Sequence, residues 1–154
     1  MVRENDPAPE FTLPAEDGRP VSLAALRGQN VVLYFYPRDD TPGCTVEACE
    51  FRDLLPRFRG LNATVFGVSP DDADSHRAFK EKFALPFSLL ADTEHAVADA
   101  YGVWKEKAMF GNKYWGNERT TFIIGRDGRV AKVFAKVKPE GHAEDVARAV
   151  AALG

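Results

Sequence analysis

The chain is poor in the residues that usually announce chemistry, with two cysteines and three histidines among 154 residues. That scarcity excludes a disulfide-stapled scaffold, and it leaves too few soft ligands for a two-knuckle zinc site. There is no excess of either charge, since 20 basic and 23 acidic residues are interspersed and the net charge is −3. Without a basic block, nucleic-acid binding is not expected, and without a like-charge run there is no reason to assign a disordered tail. Long apolar runs are missing as well. The longest, Val31 to Tyr36, has the length of a strand and not of a bilayer-spanning helix. The polar opening Met1–Asp6 lacks the apolar core of a signal peptide, so a cytoplasmic protein with no membrane association is the expectation. What is present is 45% hydrophobic residues, enough for one domain over residues 1–154 to fold on its own core.

Val31-Val32-Leu33-Tyr34-Phe35-Tyr36 has no polar alternation and reads as a central strand buried on both faces. Ala63–Ser69 has the same character, and Phe87–Leu90 is a shorter candidate. Thr120–Ile124 and Arg129–Ala135 flank Gly125-Arg126-Asp127-Gly128, whose Asp-Gly pair signals a hairpin. Helical patterns fall between, over Thr45–Leu55, Asp71–Phe83 and Ala143–Leu153. Ser69-Pro70 reads as a cap followed by a first-turn proline, and Pro56 as the end or a kink of the helix that follows the first strand. In the last helix Val146, Val150 and Leu153 form one stripe. This order of elements predicts an α/β fold, a β-sheet with helices on both faces.

Cys44 lies just after the first strand, in the loop-to-helix passage Pro37-Arg38-Asp39-Asp40-Thr41-Pro42-Gly43-Cys44. Ligands in α/β proteins usually sit at the carboxyl ends of strands. Pro37 stops the strand, and Thr41-Pro42 again reads as a hydroxyl cap with proline behind it, which puts Cys44 in the first helical turn. Free N–H groups and the positive helix end favour an anion there, and the thiolate is the nucleophilic form of cysteine. A small buried residue at a helix start is the plainer alternative. Cys49 follows on the same helix. Five steps rotate about 140° and rise ~7.5 Å, which puts the two α-carbons roughly 8–9 Å apart. A disulfide needs them within ~7 Å, so a Cys44–Cys49 bond would require the first turns to unwind. Cys49 as a buried apolar residue is a serious rival. The spacing fits neither zinc ligation nor the C-x-x-C of thiol–disulfide oxidoreductases. His76, His95 and His142 stand in polar helical contexts and read as surface residues; no metal or cofactor is expected.

Pro37, Thr41 and Cys44 match the P-x-x-x-T-x-x-C signature of the peroxiredoxins, and the stretch Tyr34–Asp53 resembles the bacterioferritin-comigratory-protein, or peroxiredoxin Q, branch. A second cysteine five residues after the first is that branch's mark. The resemblance extends over Ala8–Leu13 (an opening strand), Gly67–Ser69, Phe87–Asp92, Tyr101–Trp104 and Arg119–Ile124. It implies a thioredoxin-like fold with a central mixed sheet. It also implies that Cys44 attacks hydrogen peroxide or an organic hydroperoxide and becomes a sulfenic acid. Cys49 then closes a disulfide, and thioredoxin or a similar dithiol reopens it. Arg119 would donate to the thiolate and to a peroxide oxygen, Thr41 and the N–H of Cys44 would bind the peroxide, and Pro37 would shield the thiol. A monomer is expected from the branch. Trp104, Tyr114 and Trp115 flank a glycine-containing loop, 111–116, and read as packing residues, with a peroxide entrance or reductant-docking face as the other reading. A general thiol–disulfide oxidoreductase and a redox-switched binding module stand as alternative functions.

Overall fold

The computed structural model describes residues 1–153. Its centre is a five-stranded sheet in the order β5-β4-β3-β8-β9. β3 (Asn30–Phe35) runs parallel to β4 (Ala63–Ser69), which runs parallel to β5 (Ser88–Ala91). On its other side β3 pairs antiparallel with β8 (Thr120–Ile124), and β8 with β9 (Val130–Phe134). Every residue of β3 is buried because both faces are covered. Val32, Tyr34 and Tyr36 pack with α1 (Pro42–Gly60), α2 (Ala73–Phe83) and α4 (His142–Ala152), whereas Val31, Leu33 and Phe35 pack with α3 (Ala96–Tyr101) and the N-terminal segment. Period-2 alternation thus sorts one apolar run between two cores. The expected central mixed sheet with helices on both faces is what forms. Among the described residues, no helix is long and apolar enough to cross a membrane.

Several local expectations change. α1 does not end at Pro56 but runs on to Gly60. Pro56 is on the exposed face, so the helix forgoes one backbone hydrogen bond there and continues on the burial of Leu55 and Phe58. Ser69-Pro70 is no cap: α2 begins at Ala73, and the side chain of Asp72 accepts the N–H of Ser75. Ser69 is the last residue of β4 and donates its hydroxyl to Asp71. Leu153 leaves the α4 stripe and is 44% exposed. The opening strand is displaced as well. β1 (Thr12–Pro14) pairs with β2 (Pro20–Ser22) as a separate ribbon, and Ala8–Phe11 precede it. The expected loop at 111–116 belongs to a hairpin of β6 (Trp104–Met109) and β7 (Asn112–Asn117), which pair with each other. The Asp-Gly turn before β9 forms as read, with Gly128 at φ +81°, a region open to glycine at little cost.

Candidate active site

The carboxyl end of β3 delivers Pro37–Thr41, and α1 opens directly behind them. Thr41 occupies the cap position, but its hydroxyl does not cap the helix. It donates to the Arg38 carbonyl at 2.9 Å, while the Thr41 carbonyl accepts the N–H of Thr45 at 2.8 Å. The hydroxyl proton is therefore committed to the loop, and the oxygen's lone pairs remain available as acceptors. That corrects the expectation of Thr41 as a side-chain cap.

Cys44 is 1% exposed, in the first turn of α1. Its thiol lies at a cleft of about 470 Å³ that Pro37, Thr41, Lys107, Tyr114, Trp115 and Arg119 also line. Arg119, immediately before β8, reaches this point because β8 lies beside β3. Its Nη2 donates to Cys44 Sγ at 3.4 Å and its Nη1 to Glu47 Oε1 at 2.7 Å. Gly43 makes room for the guanidinium, since a Cβ there would lie 3.1 Å from Nη2. Cys49 is half-buried on the same unbroken helix, and both thiols are free.

The structure thus gathers Pro37, Thr41, Cys44 and Arg119 around one cleft and holds Cys49 on the helix behind it. Tyr114 and Trp115 are 42% and 58% exposed and line the cleft mouth, the lesser of the two sequence readings; Trp104 instead stacks on His95. Two of the three histidines are not surface residues. His76 and His142 are buried, because each sits on the inward face of an amphipathic helix whose neighbours in sequence point outward. Asp39, Asp71 and His76 bring carboxylates and an imidazole together, but their atoms already pair with one another and with Tyr36, Ser69 and Ser75.

Glu47 is the residue the sequence did not disclose. It is three positions past Cys44 and fully buried. An acid in the early turns of a helix is ordinarily a dipole partner, so its spacing from Cys44 was the sole signal. Burial pushes its carboxyl up to about 7, although Arg119 pulls the other way. For Arg119 burial opposes the charge, but Glu47 and Cys44 together hold its pKa above the ordinary value. Burial lowers Lys107 at the cleft wall, and repulsion from Arg119 adds to it. Behind Glu47, His142 contacts Thr121 Oγ1 at 2.7 Å, and burial lowers its pKa to about 4.

Glu47 and His142 act on stability with opposite signs. A carboxyl raised from 4.5 to about 7 contributes fully below pH 4.5 and loses that contribution as pH rises through 7. A histidine lowered from 6.5 to about 4 contributes above pH 6.5 and loses it as pH falls through 4. Each is worth about 3 kcal/mol across its window, so the two largely offset. Glu47→Gln removes one side of that balance. Relative to wild type, the variant is expected to lose about 3 kcal/mol of stability between pH 7 and pH 4.5. Urea unfolding at the two pH values measures it, and a difference independent of pH would refute the buried titration of Glu47.

Residues 5–133 match the AhpC/TSA family. A putative peroxiredoxin Bcp of Coxiella burnetii is 49% identical over 139 residues, covering 90% of this chain and 92% of the relative. Peroxiredoxin Bcp of Bacillus subtilis is 50% identical over 135 residues, 88% of this chain and 86% of its own. Among solved structures, the Xanthomonas campestris bacterioferritin comigratory protein, described for alkyl peroxide reduction, superposes with a TM-score of 0.91 at 37% identity, covering 99% of this chain and 98% of the other. A Xylella fastidiosa peroxiredoxin Q mutant superposes with a TM-score of 0.94 at 37% identity and the same coverage. The chain therefore belongs to the AhpC/TSA family, within the Bcp and peroxiredoxin Q branch of the peroxiredoxins, which are thiol-dependent peroxidases.

Proposed function

We propose that Cys44 is the peroxidatic cysteine of this enzyme and that Cys49 resolves its oxidised form. The observation that carries the reading is the Cys44 thiol at the cleft, in a helix's first turn, with the Arg119 guanidinium 3.4 Å away. The fixed positive charge and the free N–H groups of that turn favour the thiolate. A hydroperoxide enters with its O–H donating to Thr41, whose own proton is held by Arg38. The thiolate attacks the nearer peroxide oxygen. The S–O bond forms as the O–O bond breaks, and the departing alkoxide or hydroxide takes a proton to leave as alcohol or water. Arg119 and the Cys44 N–H stabilise the charge developing on the oxygens. Cys44 is left as a sulfenic acid.

The Cys49 thiol gives up its proton and attacks the sulfenic sulfur; the S–O bond breaks as the S–S bond forms, and the departing hydroxide takes up that proton to leave as water. A thioredoxin-like dithiol supplies the two electrons that restore both thiols. One chain carries the whole cycle, so a monomer is the working unit, and a reducing compartment such as the cytoplasm suits a cycle that starts from free thiols. Tyr114 and Trp115 give the cleft mouth an apolar side that suits an organic hydroperoxide as well as hydrogen peroxide.

The intact mass after one equivalent of hydrogen peroxide tests the assignment. The wild-type chain is expected to lose two hydrogens, and Cys49→Ser to gain one oxygen on Cys44. A wild-type chain that gains oxygen and never loses hydrogen would remove Cys49 from the resolving role. Insulin reduction at the rate of a general oxidoreductase would favour that other chemistry.

A further inference from the structure

A network that the peroxidase chemistry does not use lies behind the loop that carries Thr41. Asp39 is its centre and is buried. Its Oδ1 accepts the Tyr36 hydroxyl at 2.5 Å, and its Oδ2 accepts the Ser75 hydroxyl at 2.8 Å and faces His76 Nδ1 at 2.7 Å. His76 has no exposed surface, and its Nε2 lies 2.9 Å from the Leu90 carbonyl. A carbonyl can only accept, so Nε2 bears a proton, and the imidazole ties β5 and α2 to the loop through Asp39. The backbone N–H of Asp39 donates to Asp71 Oδ2 at 2.8 Å, and the same oxygen accepts the Ser69 hydroxyl at 2.6 Å.

One covalent fact turns this bracing into an effect on the cleft. The N–H of Asp39 and the C=O of Arg38 belong to a single peptide unit, which is planar and rigid. The N–H points at Asp71, which fixes the direction of the carbonyl, and that carbonyl takes the hydroxyl proton of Thr41 at 2.9 Å. A carboxylate accepting from the N–H also polarises the amide and strengthens the carbonyl as an acceptor. Were this peptide free to turn, the Thr41 hydroxyl would lose its partner, and its lone pairs would no longer be directed by the loop.

We infer that Asp71 is a positioning residue for peroxide binding. It acts through the Arg38–Asp39 peptide to commit the Thr41 proton and turn the Thr41 oxygen into a fixed acceptor, and the Asp39–His76 pair anchors that peptide to the sheet. The inference rests on the peroxidase reading and adds to it a residue that touches neither thiol nor substrate. It also assigns a boundary to the motion that disulfide formation requires. The loop up to Asp39 stays tied to β4, β5 and α2, and unwinding starts beyond it.

The test compares two reactions of Cys44. Reaction with hydrogen peroxide needs the Thr41 acceptor; alkylation by iodoacetamide, read by peptide mass, needs the thiolate alone. Asp71→Ala is expected to slow oxidation by peroxide about ten-fold and to change alkylation by less than about two-fold. Asp71→Asn keeps an acceptor oxygen in place and is expected to restore most of the peroxide rate. In a Thr41→Val background, Asp71→Ala should add nothing, because the two act on one contact. His76→Gln, which loosens the same anchor from the other side, is expected to repeat the pattern and serves if Asp71→Ala does not fold. Peroxide and alkylation rates that fall together, or a ten-fold loss that persists in Thr41→Val, would overturn the inference. A Thr41→Val chain with the wild-type peroxide rate would overturn it together with the role given to Thr41, whereas slow Thr41→Val beside fully active Asp71→Ala overturns the inference alone.

Discussion

Replacing Cys44 by serine is expected to reduce hydroperoxide consumption to the uncatalysed rate, with the fold intact. A hydroxyl at this position stays protonated and is a poor nucleophile, while every other group at the cleft only stabilises charge that the attack creates. Replacing Cys49 has a different signature. Cys49→Ser should complete one fast turnover and then stall, and a small external thiol should restart it. The cause is chemical: without a second thiol the Cys44 sulfenic acid has no partner in the chain, whereas in the wild type the pair closes once the first turns of α1, continuous from Pro42 to Gly60, have opened. Following hydrogen peroxide decay with a thioredoxin system distinguishes the two variants. Full activity in Cys44→Ser would end the proposal.

The second large effect is expected at Arg119. Arg119→Ala should lower the rate constant for oxidation by peroxide by about 10²–10³, the usual cost of removing one preorganised donor aimed at developing charge. Lysine should recover only part of this. A single ammonium cannot take the place of a planar fork that meets Glu47 with one nitrogen and Cys44 with the other. The alanine variant should still fold near neutral pH, because Glu47 is already raised to about 7 and becomes neutral when its partner goes. Stopped-flow oxidation of Cys44 measures the loss. A rate within about three-fold of wild type would show that Arg119 is a structural partner of Glu47 and no more.

Much of the fold was legible because its signals are local. β3 and β4 are apolar runs of strand length, and the passage from Pro37 through Thr41-Pro42 marks where a strand ends and a helix begins. Of the residues at the candidate cleft, the sequence offered Pro37, Thr41 and Cys44 through the motif and Arg119 through a separate resembling segment. Hidden were the features that only packing decides. Glu47 looks like a helix-dipole partner until β8 brings Arg119 beside it. His76 follows a run rich in Asp and Ser, yet three residues before Phe79 it shares the buried face of α2. The strands Trp104–Met109 and Asn112–Asn117 are mostly exposed and lack the alternation that marks a half-buried strand, so 111–116 read as a loop and the first strand is not read at all. Pro56 reads as a terminator because nothing local shows that the residues beside it are anchored in the core.

That hairpin divides the labour at the cleft. β6 and β7 pair with each other and, among the described residues, form no ladder with the five-stranded sheet. Yet they supply Lys107, Met109, Tyr114 and Trp115 to the cleft, while Cys44, Thr41 and Arg119 stand on α1, its preceding loop and the start of β8. Substitutions along the hairpin can therefore reshape the mouth without touching the strand register or the reacting groups. If Cys44 reacts as proposed, preference among hydroperoxides is free to drift in a lineage, or to be redesigned by grafting another hairpin, while the reaction itself is inherited unchanged.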